Sequence, residues 1–103
     1  MNSLKNLPLT ETTAYILLAL IEPAHGYLII KKVEGLSNGK VKLAAGTLYG
    51  AIENLIRLKF IKSVPNQDKR RKVYLITELG IKILKENLDR QKHLVEITER
   101  NLL

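Results

Sequence analysis

Four aliphatic residues, Leu48, Ile52, Leu55 and Leu58, recur at spacings of four, three and three. That spacing returns side chains to one face of a helix. The other face carries Thr47, Tyr49, Gly50, Glu53, Asn54 and Arg57, with Ile56 the one bulky aliphatic outside the stripe. The stretch from Ala45 to Lys59 therefore reads as a helix that buries one side and presents small, hydrogen-bonding groups on the other. The pattern then changes. Phe60-Ile61-Lys62-Ser63-Val64 and Val73-Tyr74-Leu75-Ile76 are β-like runs. Between them Pro65-Asn66-Gln67-Asp68 breaks the chain, and Lys69-Arg70-Arg71-Lys72 forms an unbroken basic cluster.

A helix followed by a hairpin with a basic tip is the outline of a winged helix-turn-helix, a mainly α fold with a small β-hairpin (α+β). In that arrangement the helix enters a major groove of DNA and the tip lies along neighbouring phosphates. By residue type, Thr47 and Asn54 are the base-edge readers: a threonine methyl meets a thymine methyl, and asparagine bonds adenine. Tyr49 is turned about 100° from Leu48 and is expected at the surface. Gly50 lets the backbone approach a phosphate, or is simply a weak helix former. Arg57 lies on the same outer face. Lys69, Arg70, Arg71 and Lys72 are phosphate contacts that carry affinity and not sequence choice. Lys40 and Lys42 are weaker candidates for that role.

The rest of the chain supplies the core. Thr10 is placed to cap a first helix that runs to about Glu22, where Pro23 stops it. Its middle, Ala14 to Ile21, is apolar all round and so expected to be buried on most sides. Leu4, Leu7 and Pro8 suggest a short ordered arm before it. Ala24-His25-Gly26 reads as a turn, and a second helix spans about Tyr27 to Leu36. Val41-Lys42-Leu43 reads as a short strand. Thr77 caps a last helix of more than twenty residues, on which Leu84, Leu88, Gln91, Val95 and Leu102 form one stripe, with Leu94 and Ile97 beside it. Gln91 interrupts an otherwise apolar seam, as in coiled-coil-like pairs. A helix with no further chain to cover it asks for a second copy, so residues 1–77 are expected to form the DNA-binding part and 78–103 a dimerisation helix.

Composition narrows the classes. With 103 residues and 46% apolar content the chain suffices for one small core. The net charge of +7 divides unevenly, +2 over residues 1–52 and +5 over 53–103, which points to an anionic partner for the second half. Cysteine is absent, excluding disulfides and thiolate metal sites. His25 and His93 alone suggest no metal centre, and His25 beside Gly26 reads as a turn residue. No Ser–His–Asp spacing, paired carboxylates or phosphate-cradling loop is present, so neither an enzyme nor a cofactor is expected. The apolar run from Ala14 to Ile21 is too short to span a bilayer, and no apolar region follows Met1–Lys5 as a secretory signal requires. The expectation is a cytoplasmic protein.

Four motifs in order resemble the PadR family of bacterial transcriptional regulators: His25-Gly26-Tyr27, Gly46-Thr47-Leu48-Tyr49, Asp68-Lys69-Arg70-Arg71, and Tyr74-Leu75-Ile76-Thr77-Glu78-Leu79-Gly80. The resemblance spans roughly Leu9 to Leu88. It implies a homodimeric repressor with a single C-terminal pairing helix, a DNA contact at Tyr49, and release of DNA on binding a small aromatic or drug-like effector at the dimer interface. Tyr15, Asn87 and Gln91 are the polar groups expected to line such a site. Three features depart from the family pattern. Ala44-Ala45 replace the usual Ser-Pro, so the helix start is expected to fray or to be capped a turn late by Thr47. Phe60 replaces a usual glycine at the helix-to-strand turn. The chain contains no tryptophan to stack a ligand.

Two rival functions fit the same residues. One is a basic winged-helix module that binds nucleic acid without sequence choice. The other is a protein-interaction scaffold whose basic tip meets an acidic partner, for which binding to duplex DNA would show no steep salt dependence.

Overall fold

A computed structural model describes residues 6–68 and 70–103. Four helices and three short strands follow in the order α1 (Glu11–Ala19), β1 (Ala24–His25), α2 (Gly26–Leu36), α3 (Ala45–Arg57), β2 (Ile61–Val64), β3 (Val73–Ile76) and α4 (Glu78–Leu102). The strands form one antiparallel sheet in the order β1-β3-β2. In β2 and β3, Ile61 faces Ile76 and Val64 faces Val73, which closes the hairpin of the wing.

The core lies where α1, α2, α3 and the sheet converge, and Ile16, Leu17, Leu20, Ile29, Leu48 and Phe60 are essentially fully buried there. Each such side chain contributes about 1.5–3 kcal/mol relative to exposure. The stripe of α3 supplies three of the contacts, Leu48, Ile52 and Leu55, while Leu58 at its end is half-buried.

Helix ends follow their local chemistry. The Thr10 side chain accepts from the Thr13 N–H at 3.1 Å and starts α1. The Thr77 hydroxyl accepts from the Gly80 N–H at 3.0 Å and donates to the Lys59 carbonyl at 2.7 Å, tying the start of α4 to the end of α3. Gly80 is required there, because a Cβ would stand 2.2 Å from the Phe60 carbonyl oxygen.

Three expectations are corrected. α1 ends at Ala19 and not near Glu22, because the Leu20 carbonyl turns to accept the Ile76 N–H at 2.8 Å and serves the sheet. Residues 41–43 form no strand; the Val41 N–H is taken by the Ser37 hydroxyl at 2.9 Å, which holds the connection irregular while Leu43 tucks into the core. The third strand is instead Ala24–His25, within the segment read as a turn, paired with Tyr74 and Val73. At the helix-to-strand turn, where Phe60 replaces the family's usual glycine, the residue in left-handed conformation is Lys59, at φ 65°. The Lys59 N–H returns to the Ile56 carbonyl and the Phe60 N–H to the Leu55 carbonyl, a Schellman ending in which Phe60 is free to be buried.

Of the N-terminal arm, Leu7 and Leu9 pack against the core, while Leu4 lies outside the described residues.

Candidate nucleic-acid interface

α3 turns its apolar stripe inward, and that sets what faces out. Thr47, Gly50, Glu53, Asn54 and Arg57 are all exposed, and Tyr49 is 53% exposed. The Arg57 guanidinium donates to the Asn54 side-chain oxygen, so these two groups are presented as a pair. Neither Gly46 nor Gly50 has a neighbour within 4 Å of where a Cβ would stand, so the outer ridge of α3 is open along its first two turns. Ala44 occupies the cap position of α3 without a side-chain hydrogen bond, yet the helix begins at Ala45 and Thr47 does not replace the missing cap. The Leu48 N–H reaches the Ala44 carbonyl at 3.0 Å, which suffices to close the first turn.

The wing tip is built by short polar side chains. The Asn66 side chain accepts from the Asp68 N–H at 2.9 Å and donates to the Arg71 carbonyl at 2.8 Å. Asp68 in turn accepts from the Arg70 N–H at 3.0 Å and stands 3.6 Å from the Arg70 guanidinium. These turns, and not the strand ladder, hold Arg70, Arg71 and Lys72 at the surface. Lys69 lies outside the described residues.

The wing folds back toward α2 and α3 and leaves a cleft of about 360 Å³ lined by His25, Gly26, Tyr49, Arg70, Arg71 and Lys72 among others. The Tyr49 hydroxyl leans on Gly26, only 2.8 Å from where a Cβ would be. Tyr74 forms part of the cleft wall; burial first, and the neighbouring Tyr49 second, hold its phenol above the ordinary tyrosine value. One cleft thus gathers Tyr49, Arg70, Arg71 and Lys72 from the sequence-predicted set. Thr47, Gly50, Asn54 and Arg57 stand outside its lining, on the exposed faces of α3. Lys40 and Lys42 are exposed in the connection before α3.

His25, a turn residue by its place beside Gly26, also belongs to the cleft. Its Nδ1 caps α2 by accepting from the Leu28 N–H, and its Nε2 lies 3.2 Å from Arg71 Nη1. Nothing in local spacing marks that contact, which joins positions 46 residues apart.

On α4 the predicted seam stays uncovered within one chain. Leu84 is half-buried, but Leu88 is 47% exposed and Leu102 77%; Gln91 and Val95 are exposed as well. Two clefts flank it. One, of about 620 Å³, lies between Pro8, Leu9 and the α4 residues Asn87, Gln91, Leu94 and Ile97. The other, of about 360 Å³, lies between Leu18 and Ile21 of the first helix region and Leu84, Leu88 and Gln91. Asn87 is buried and its side-chain oxygen accepts from the Leu9 N–H at 3.0 Å. Tyr15 lines neither cleft; it packs, half-buried, against the core. Among the described residues no group of three or more His, Cys, Asp or Glu converges as a metal site, and no helix is long and apolar enough to cross a membrane.

A polar-faced helix beside a basic hairpin, carried on a three-helix core, defines a winged helix-turn-helix of the DNA-binding class. The chain belongs to the Transcriptional regulator PadR-like family, which matches residues 16–86. Among solved structures it is similar to a transcriptional regulator from Clostridium thermocellum, at 25% identity over 88% of each chain with a TM-score of 0.73. A PadR family transcriptional regulator from Eggerthella lenta is similar at 27% identity, over 88% of this chain and 80% of that one, with a TM-score of 0.69. A PadR-like transcriptional regulator from Bacillus cereus shares the fold at 24% identity, over 88% and 89% of the two chains, with a TM-score of 0.68. No curated protein matches the chain. The family is one of DNA-binding transcriptional regulators and not of enzymes, and this chain is one of them.

Proposed function

We propose that the chain is a sequence-specific repressor that binds its operator as a homodimer and releases it when a small aromatic or drug-like molecule binds. The observation that carries the reading is the exposed face of α3, with Thr47, Asn54 and Arg57 free of the core, standing beside the arginines of the wing. Thr47, Asn54 and Arg57 then meet base edges, and Gly50 allows close approach. Tyr49, Arg70, Arg71 and Lys72, with Lys69 as the fourth basic residue of the tip, meet phosphates.

Pairing is supported by the uncovered stripe of α4. Leu88, Val95 and Leu102 are exposed in one chain, and fully burying a leucine is worth about 1.5–3 kcal/mol. A twofold partner laid on Leu84, Leu88, Gln91, Val95 and Leu102 recovers several such contributions. It makes residues 78–103 the pairing element and 1–77 the DNA-binding part, and sets two copies of α3 into major grooves about 34 Å apart. An effector is supported by the clefts beside that stripe, to which Gln91 and Asn87 both contribute.

Sequencing the duplex fragments retained by the purified protein tests the reading. The expected result is an inverted repeat, bound far more tightly than random duplex. Retention of fragments with no shared sequence would favour a module without sequence choice. Light scattering tests the pairing: Leu88→Asp with Val95→Asp is expected to give a monomer that loses operator binding. A wild type already monomeric at micromolar concentration would overturn the dimer.

A further inference from the structure

We propose that His25 and Arg71 together hold one backbone phosphate of the bound DNA, with the Tyr49 hydroxyl as a third donor beside them. The inference rests on the DNA-binding reading above and adds to it a residue that lies on neither the recognition helix nor the wing.

The argument is one of donors and acceptors. A neutral imidazole has one N–H and one bare nitrogen. The Nδ1 of His25 accepts from the Leu28 N–H and caps α2, which places the ring proton on Nε2. That Nε2–H then faces Arg71 Nη1 at 3.2 Å, and an arginine nitrogen is also only a donor. The opposite tautomer accepts from Arg71 but turns an N–H onto the Leu28 N–H and undoes the cap. Either way one pair of donors faces each other without an acceptor. An anionic oxygen that accepts from both Nε2–H and Arg71 removes the conflict and keeps the cap.

The surroundings select a phosphate. Arg70, Arg71 and Lys72 converge on the cleft from the wing, and the Tyr49 hydroxyl stands at Gly26, on the first turn of α2. The N-terminal end of α2 adds its partial positive charge to the same place. Among the described residues, the acid ion-paired with these arginines is Asp68, which Arg70 and Arg71 hold on the wing side. The cleft lies between α3 and the wing, where a strand leaving the major groove must pass if both elements touch DNA. A duplex backbone is therefore the source proposed for the phosphate.

The variant that tests this is His25→Asn. Asparagine caps a helix at least as well, and it lacks a donor at the reach of Nε2. The expected result is a loss of about tenfold in affinity for every duplex, since the bond removed is one to a charged group. The preferred sequence, the thermal midpoint and the slope of affinity against salt are expected to stay as in wild type, because a neutral donor releases no counterion. Arg71→Ala is expected to weaken binding and flatten the slope by about one. The double variant is expected to lose less than the product of the two single losses, since both residues serve one phosphate. Wild-type affinity in His25→Asn, or losses that multiply in the double variant, would overturn the clamp. So would a fall in thermal midpoint that accompanies the affinity loss, which would return His25 to a purely structural role. Saturable binding of inorganic phosphate alone at millimolar concentration, unaffected by duplex, would reassign the cleft to a free anion. A wild type with no salt-dependent duplex binding would instead overturn the DNA-binding reading itself.

Discussion

α3 and α4 carry the same kind of signal and meet different fates. Each has an aliphatic stripe at helical spacing and a polar opposite face. In α3 the stripe is sealed: Leu48, Ile52 and Leu55 are at most 3% exposed. In α4 only the first turns are held, by Ile83 and Asn87, and beyond Leu88 every residue but the half-buried Ile97 is exposed. The difference lies in what the rest of the chain brings. α3 is flanked by α2 and by β2, whereas α4 is held by α1 and β3 and its distal half is left exposed. A stripe identifies the face that needs cover; it does not identify the cover.

The largest test of that contrast is a pair of truncations. Leu48→Ala is expected to cost about 2–5 kcal/mol in urea denaturation, by lost burial and a cavity. Leu102→Ala, measured where the chain is monomeric, is expected to stay within about 0.5 kcal/mol. Equal losses would mean that one chain covers the end of α4 after all.

The glycines repeat the contrast at smaller scale. Gly80→Ala drives a Cβ onto the Phe60 carbonyl and is expected to destabilise by about 1–3 kcal/mol. Gly50→Ala meets open space, so it is expected to stabilise the fold by about 0.5–1 kcal/mol while weakening DNA binding if the backbone there approaches a phosphate. A stabilised Gly50→Ala with unchanged affinity would remove Gly50 from the interface.

The caps invert it. Thr77→Ala is expected to cost roughly 1 kcal/mol, and Ala44→Ser to stabilise by a similar amount, because α4 has a side-chain cap and α3 has none. Thermal unfolding of both variants checks the sign.

The smallest effect concerns the sheet behind α3. The Tyr74 phenol is held above its ordinary value of about 10 by burial, and then by Tyr49. A folded value above the unfolded one means that this contribution is complete below about pH 10 and is lost as pH rises through the folded value. Tyr74→Phe is expected to lessen the fall in stability above pH 10. An identical alkaline profile for variant and wild type would show that the phenol does not matter to the fold.

Short-range features were legible in the residues as written. The inner face of α3, the caps at Thr10 and Thr77 and the β2–β3 hairpin each depend on atoms a few positions apart, so spacing and side-chain type suffice to find them. Pro23 marks where a helix must stop, not where the sheet claims the Leu20 carbonyl, so α1 ends at Ala19, short of the limit near Glu22 that the proline sets. The left-handed residue that ends α3 is Lys59, which has no glycine to announce it. β1 has two residues and therefore no alternation to read; it is a strand only because β3 lies beside it. His25 followed the same logic. Its role as a cap is local, but its meeting with Arg71 requires α2 and the wing to fold onto one cleft. Periodicity and capping are properties of neighbours in the chain, while pairing, cover and converging donors are properties of neighbours in space, and only the packed layers bring those together.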